Sequence, residues 1–144
     1  MKITNKTANF NYEIYDTLEV GVVLSGAEVK SLFLGQASLD EAYVKVVGNE
    51  LFLLNAHIHP YKFADTTKID PKRSRKILLH KRELFSLQSK MQQKNLTIVP
   101  ISWYNLGNKI KLQIALVRGK KKWEKRDSIK KKDMDRDLEI ALKK

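Results

Sequence analysis

The sequence contains no cysteine, which removes disulfide staples, thiolate metal sites and cysteine nucleophiles together. Nowhere do about 18 apolar residues follow one another, so no helical membrane span is expected. Met1 to Asn11 has no apolar run of signal-peptide length, and the expected location is therefore cytoplasmic. A glycine-rich phosphate loop, a nucleophile elbow and a metalloprotease helix are all missing, so no catalytic machinery is visible. Acidic residues are few beside basic ones: 16 Asp plus Glu against 28 Lys plus Arg give a formal net charge of +12 over 144 residues. An excess of that size speaks about partners, not about fold. The 42% of hydrophobic and 31% of charged residues suit one globular domain with a charged surface, and they exclude collagen-like or wholly disordered chains.

The basic residues are unevenly spread. Residues 118 to 144 hold 12 of the 28 basic side chains and 6 of the 16 acids. Within them, Arg118 to Lys132 has nine basic residues against Glu124 and Asp127, a stretch that repels itself and lacks apolar cover. The expected division is a domain of residues 1 to 117 and a basic tail of residues 118 to 144.

Upstream, period-two patterns dominate. Ile110, Leu112, Ile114 and Leu116 share a face opposite Lys109, Lys111 and Gln113. Thr97, Val99, Ile101 and Trp103 alternate similarly, and Leu106-Gly107-Asn108 supplies the turn of a long hairpin. A second hairpin is expected from Ala42 to Val47 and Glu50 to Ile58 around Gly48-Asn49, preceded by strands Tyr12 to Tyr15 and Leu18 to Leu24, six strands in all. Two short helices interrupt them. The first opens on a capping box, Ser25-Gly26-Ala27-Glu28, and stops at Gly35. The second runs from about Lys81 to Gln93 with Leu84, Leu87 and Met91 as its buried stripe. The fold class is mainly β: a closed or partly open barrel of the oligonucleotide-binding type, with a basic C-terminal tail. An open α+β sandwich is the alternative.

The strongest functional signal is Gly119-Lys120-Lys121-Lys122-Trp123-Glu124-Lys125-Arg126. Clustered cations neutralise phosphates, and an aromatic ring among them can stack on an unpaired base. The bland alternative is a solvated charge run with Trp123 folded back onto the barrel. Lys68, Lys72, Arg73, Arg75 and Lys76 form a second cluster in a long connection broken by Asp70-Pro71, readable as a phosphate-contact surface or as a solvated loop. His57 and His59 share a strand face but lack a third metal ligand nearby, so no metal site is expected. His80 precedes the second helix with Glu83 three residues on, a helix entry. Met134, Leu138, Ala141 and Leu142 fall at helical spacing. Their stripe is thin, so the tail is expected to be unstructured when free and helical once a polyanion neutralises lysines such as Lys130 and Lys131.

Several segments together carry a family resemblance: Asn5-Lys6, Leu18-Glu19-Val20-Gly21, Ser25 through Leu32, Asp70-Pro71, Arg75 through His80, and Gly119-Lys120-Lys121 through Lys125-Arg126. In this order they resemble the SsrA-binding proteins, bacterial partners of transfer-messenger RNA. The resemblance implies a non-enzymatic adaptor without cofactor, metal or membrane partner. It would grip the tRNA-like domain of that RNA, support its alanylation, and bring it to stalled ribosomes. Elongation factor Tu and alanyl-tRNA synthetase would be indirect partners through the RNA. Carried over by position, the RNA-binding residues are Asn5, Lys6, Glu19, Gly21, Arg73, Arg75, Lys76, Leu78, His80 and Lys111. Glu19 would accept hydrogen bonds from base amino groups or hold a neighbouring cation. The segment for the small-subunit decoding centre is Gly119, Lys120, Lys121, Lys122, Trp123, Glu124, Lys125 and Arg126, and Lys130, Lys131, Met134 and Leu138 belong to a helix for the message channel. Two positions depart from the family pattern: Glu124 stands where Asp is typical, and Trp123 where a histidine or another aromatic occurs.

Overall fold

The computed structural model of the protein describes residues 1–6, 8, 12–61 and 70–119. Among these, the strands are β1 (Lys2–Thr4), β2 (Tyr12–Val22), β3 (Ala37–Ser38), β4 (Tyr43–Val47), β5 (Glu50–Leu54), β6 (His57–Ile58), β7 (Arg75–Leu78), β8 (Thr97–Leu106) and β9 (Lys109–Gly119). The helices are α1 (Gly26–Phe33) and α2 (Lys81–Lys94). Seven strands form one antiparallel sheet in the order β1-β8-β9-β2-β7-β5-β4, and β3 pairs with β6 apart from it. The sheet curls until β4 packs against β8 without pairing to it. It is a mainly β, partly open barrel rather than a closed one.

The count of six expected strands rises to nine among the described residues, for identifiable reasons. Asn55 adopts a left-handed φ of 61° and breaks the run from Glu50 to Ile58 into β5 and β6. Tyr12 to Val22 is one strand rather than two, kinked by a bulge between Ile14 and Asp16. β7 was hidden by its cations: Arg75 and Ile77 point inward while Lys76 and Leu78 point out.

Bulges also correct a face assignment. In β8 the register shifts between Pro100 and Ser102, so Ile101 is the extra residue and the alternation changes phase there. Val99 and Ile101 pack with Ala115, Val117 and Tyr12 in a small cluster. Trp103, fully buried, belongs instead to the main core with Val20, Leu32, Leu53, Ile77 and Leu112. Pro100 sits beside the bulge, where a strand tolerates a residue without an N–H.

The helices follow their caps. The Glu28 N–H donates to Ser25 Oγ at 3.2 Å and the Ser25 N–H to Glu28 Oε1 at 2.9 Å, completing the expected capping box. At the other end the Gly35 N–H donates to Leu32 O and the Gln36 N–H to Ser31 O, each at 3.0 Å. Gly35 has φ +74°, which suits a residue without Cβ. In α2, Leu84 and Leu87 are buried and Met91 packs beside them, as the spacing predicts. β9 continues through Arg118 to Gly119, which pairs with Tyr12, so the strand extends two residues past the boundary expected at 117.

Candidate nucleic-acid interface

Side chains alternate across a sheet, so outward-facing residues of neighbouring strands converge on one surface. On this surface β2 supplies Glu19 and Gly21, β9 supplies Lys111, and β7 supplies Lys76 and Leu78. The chain then turns through Leu79 and His80 into α2. These residues, with Glu83, line a groove of about 430 Å³ whose floor includes Val20 and Ile77. Six of the ten positions expected to grip RNA therefore lie in one groove: Glu19, Gly21, Lys76, Leu78, His80 and Lys111.

Each wall contributes different chemistry. The Lys76 ammonium is held by Glu50 at 3.2 Å in an exposed pair, and an exposed ion pair is weak enough to be exchanged for a phosphate. Lys111 stands opposite Tyr104. Leu78 is paired with Gly21 and remains 51% exposed, offering a flat apolar patch at the rim. A Cβ at Gly21 would meet Leu78 Cβ at 3.5 Å, an ordinary contact, so glycine here keeps space open without being sterically obligatory. Glu19 accepts a short hydrogen bond from the Tyr104 hydroxyl. Burial and that carboxylate push the Tyr104 hydroxyl up to about 12.

The remaining expected positions lie elsewhere. Lys6 is exposed. Asn5 is buried; its side-chain amide donates to Pro100 O at 2.9 Å and its backbone N–H to Ile101 O at 2.7 Å. It thus clasps the β8 bulge, a framework task. Arg75 is held still deeper, with its side chain 0% exposed. Its guanidinium donates to Glu28 Oε2 from Nε at 2.7 Å and also to the carbonyls of Ala56, Pro71 and Arg73. Arg73 shares Glu28 and reaches Val23 O, and Lys72 pairs with Glu41 at 3.3 Å. The described part of the second basic cluster is largely paired within the fold, and Arg75 cannot touch a phosphate where it stands. Lys68 lies outside the described residues.

Burial raises the Glu28 carboxyl pKa, but hydrogen bonds from Arg73, the Ser25 N–H and Arg75 outweigh it and bring the group below its ordinary value. Burial conversely lowers Arg75, against the support of Glu28.

Leu79 and Glu83 were missed as groove residues, and Tyr104 as the hydrogen-bond partner of Glu19 beside the groove. The alternation of β8 places Tyr104 on the outward side, opposite the face of Trp103, but nothing local links it to Glu19 on β2, which lies across β9. The His57 and His59 rings lie 6.2 Å apart, and among the described residues no group of three metal-ligating side chains forms. Nor is any described helix long and apolar enough to cross a membrane. Of the positions expected at the decoding centre and message channel, only Gly119 is described, exposed at the end of β9. Lys120, Lys121, Lys122, Trp123, Glu124, Lys125, Arg126, Lys130, Lys131, Met134 and Leu138 lie outside the described residues.

A family model described as "SmpB protein" matches residues 2–144. An SsrA-binding protein from Persephonella marina is 48% identical over 140 residues, covering 97% of this chain and 92% of its own. One from Chlorobaculum tepidum is 44% identical over 142 residues, covering 98% and 90%. A solved structure described as "tmRNA-SmpB: a journey to the center of the bacterial ribosome" matches with a TM-score of 0.69 and 41% identity, over 84% of this chain and 85% of that one.

Proposed function

Because the chain belongs to the SmpB family, we propose that it is a non-enzymatic RNA-binding adaptor of trans-translation. In this reading it binds the tRNA-like domain of transfer-messenger RNA and accompanies it to stalled ribosomes in the cytoplasm. The observation that carries the proposal is the groove, which gathers Glu19, Gly21, Lys76, Leu78, His80 and Lys111 from three strands and a helix entry. Cations at its walls suit phosphates, the exposed Leu78 suits the face of a base, and Glu19 suits a base amino group. A surface of mixed chemistry recognises a folded RNA better than a uniform anionic rod.

The finer steps belong to the same proposal. Bound to the RNA, the barrel supports alanylation by alanyl-tRNA synthetase and delivery by elongation factor Tu. Residues 119 to 126 enter the small-subunit decoding centre, and Lys130, Lys131, Met134 and Leu138 follow as a helix along the empty message channel. The fifteen residues from Arg118 to Lys132, nine of them basic, supply the charge that such an RNA-walled channel attracts.

Competition binding tests the proposal. In moderately concentrated salt the protein is expected to prefer a transcript of the tRNA-like domain over a generic RNA duplex of equal length, and equal affinity for both refutes it. Lys111→Ala should weaken binding to either RNA, reducing the slope of log affinity against log salt by about 1, the signature of one lost phosphate contact. A salt series for wild type and variant measures that slope.

A further inference from the structure

Resting on that reading, we propose that Tyr104 is a positioning residue that sets the RNA selectivity of the groove by fixing the carboxylate of Glu19. The backbone register places it there. Tyr104 is opposite Lys111 on β9, and Glu19 on β2 is opposite Gln113, the next outward residue of β9. The tyrosine side chain therefore crosses β9 diagonally, between Lys111 and Gln113, for its hydroxyl to reach Glu19 Oε2. Among the described residues no donor reaches Oε1, which is left to accept a hydrogen bond from RNA.

The chemistry of the pair follows. A carboxylate on a polyanion-binding surface repels phosphates, and its presence is costly to any ligand that supplies no donor for it. The amino groups of a base-paired duplex are engaged within the duplex, whereas an unstacked base of a folded RNA can present one to Oε1. A freely rotating glutamate could swing its charge away from a poor ligand. Held at Oε2, it cannot, so the hydroxyl turns a mobile charge into a fixed discriminator. Because the Tyr104 hydroxyl is pushed up to about 12, it remains a donor at every pH at which RNA is intact.

The test is Tyr104→Phe, which removes one oxygen from a half-buried ring and leaves the packing in place. Affinity for the tRNA-like transcript is expected to fall about tenfold, as for a lost hydrogen bond to a charged group, while affinity for the generic duplex rises because the released carboxylate can turn away from it; the number of phosphate contacts, and so the salt slope, stays the same. Glu19→Gln should reduce the same preference, and the double variant should lose no more than Glu19→Gln alone, because the tyrosine acts through the glutamate. In the free protein, ultraviolet titration should show one tyrosine moving down from about 12 in Glu19→Gln. Full preference retained in Tyr104→Phe, or losses that multiply in the double variant, overturns the inference while leaving the proposed function standing. Absence of any preference in the wild type removes both.

Discussion

Glu28→Ala is expected to cost about 3–5 kcal/mol of folding stability, the range for breaking a buried ion pair by removing one partner. Glu28 is 3% exposed and Arg75 is 0% exposed, so neither charge can fall back on water. The carboxylate does three things at once: it completes the α1 capping box at the Ser25 N–H, holds Arg75, and holds Arg73. Its loss leaves the Arg75 guanidinium charged and uncompensated inside the barrel. Glu28→Gln keeps the volume but not the charge and should also be strongly destabilising. Replacing Glu28 and Arg75 together by apolar residues would not restore stability. Arg75 also donates to the carbonyls of Ala56, Pro71 and Arg73, which would then be left without those partners.

The same carboxylate gives stability a pH signature. Its pKa in the folded protein lies below the ordinary 4.5, so in that window the unfolded chain binds more protons than the folded one. The contribution is present above the ordinary value and is lost as pH falls through the lowered one. Urea midpoints measured from neutral pH downward should decline in this window for the wild type, and decline less for Glu28→Gln. A Glu28→Ala penalty below about 1 kcal/mol, the scale of an exposed pair, would mean that the buried network matters little.

Ending the chain after Gly119 is expected to separate two activities. The last pairing of β9 is Gly119 with Tyr12, and Val117 and Ala115 are buried just before it, so the shortened protein should keep the stability of the full chain. In moderately high salt it should retain its preference for the tRNA-like transcript, since the groove is intact. In dilute salt it should bind every RNA less tightly, because many cations have gone. Tagging of peptides on stalled ribosomes, in a reconstituted system, should fall to background. A truncated protein that loses RNA preference would contradict the division of labour, and one that tags normally would deny the tail its role.

Sequence reading succeeded where chemistry is local. The capping box at Ser25, the Gly35 stop, the α2 stripe and the alternation of Ile110 to Leu116 each depend on residues within a few positions of one another. It failed where a distant partner decides. The cations around Arg75 look like a solvated connection until Glu28 and the Ala56 carbonyl are brought to them from other parts of the chain. The bulges at Tyr15 and Ile101 each shift a strand by one residue while the apolar alternation runs on unbroken. Tyr104 was missed, while its hydrogen-bond partner Glu19 was found by resemblance, because the two meet across β9 from strands more than 80 residues apart in the chain. The groove residues come from β2, β7, β9 and the α2 entry, so neither spacing nor composition could have assembled them.

The order of strands has a consequence for synthesis on the ribosome. β1 pairs with β8, and β2 along most of its length with β9, as in Lys2 with Tyr104 and Tyr12 with Gly119. The first strands to emerge from the exit tunnel thus wait for β8 and β9 before most of their pairing forms, a high contact order that slows folding. Until residues 109 to 119 are outside, the N-terminal segments are open edges with apolar faces exposed to aggregation. Chaperone dependence should accordingly be greatest for nascent chains arrested before β9. A factor proposed to release arrested ribosomes would itself become useless, and hazardous, if its own translation halted late.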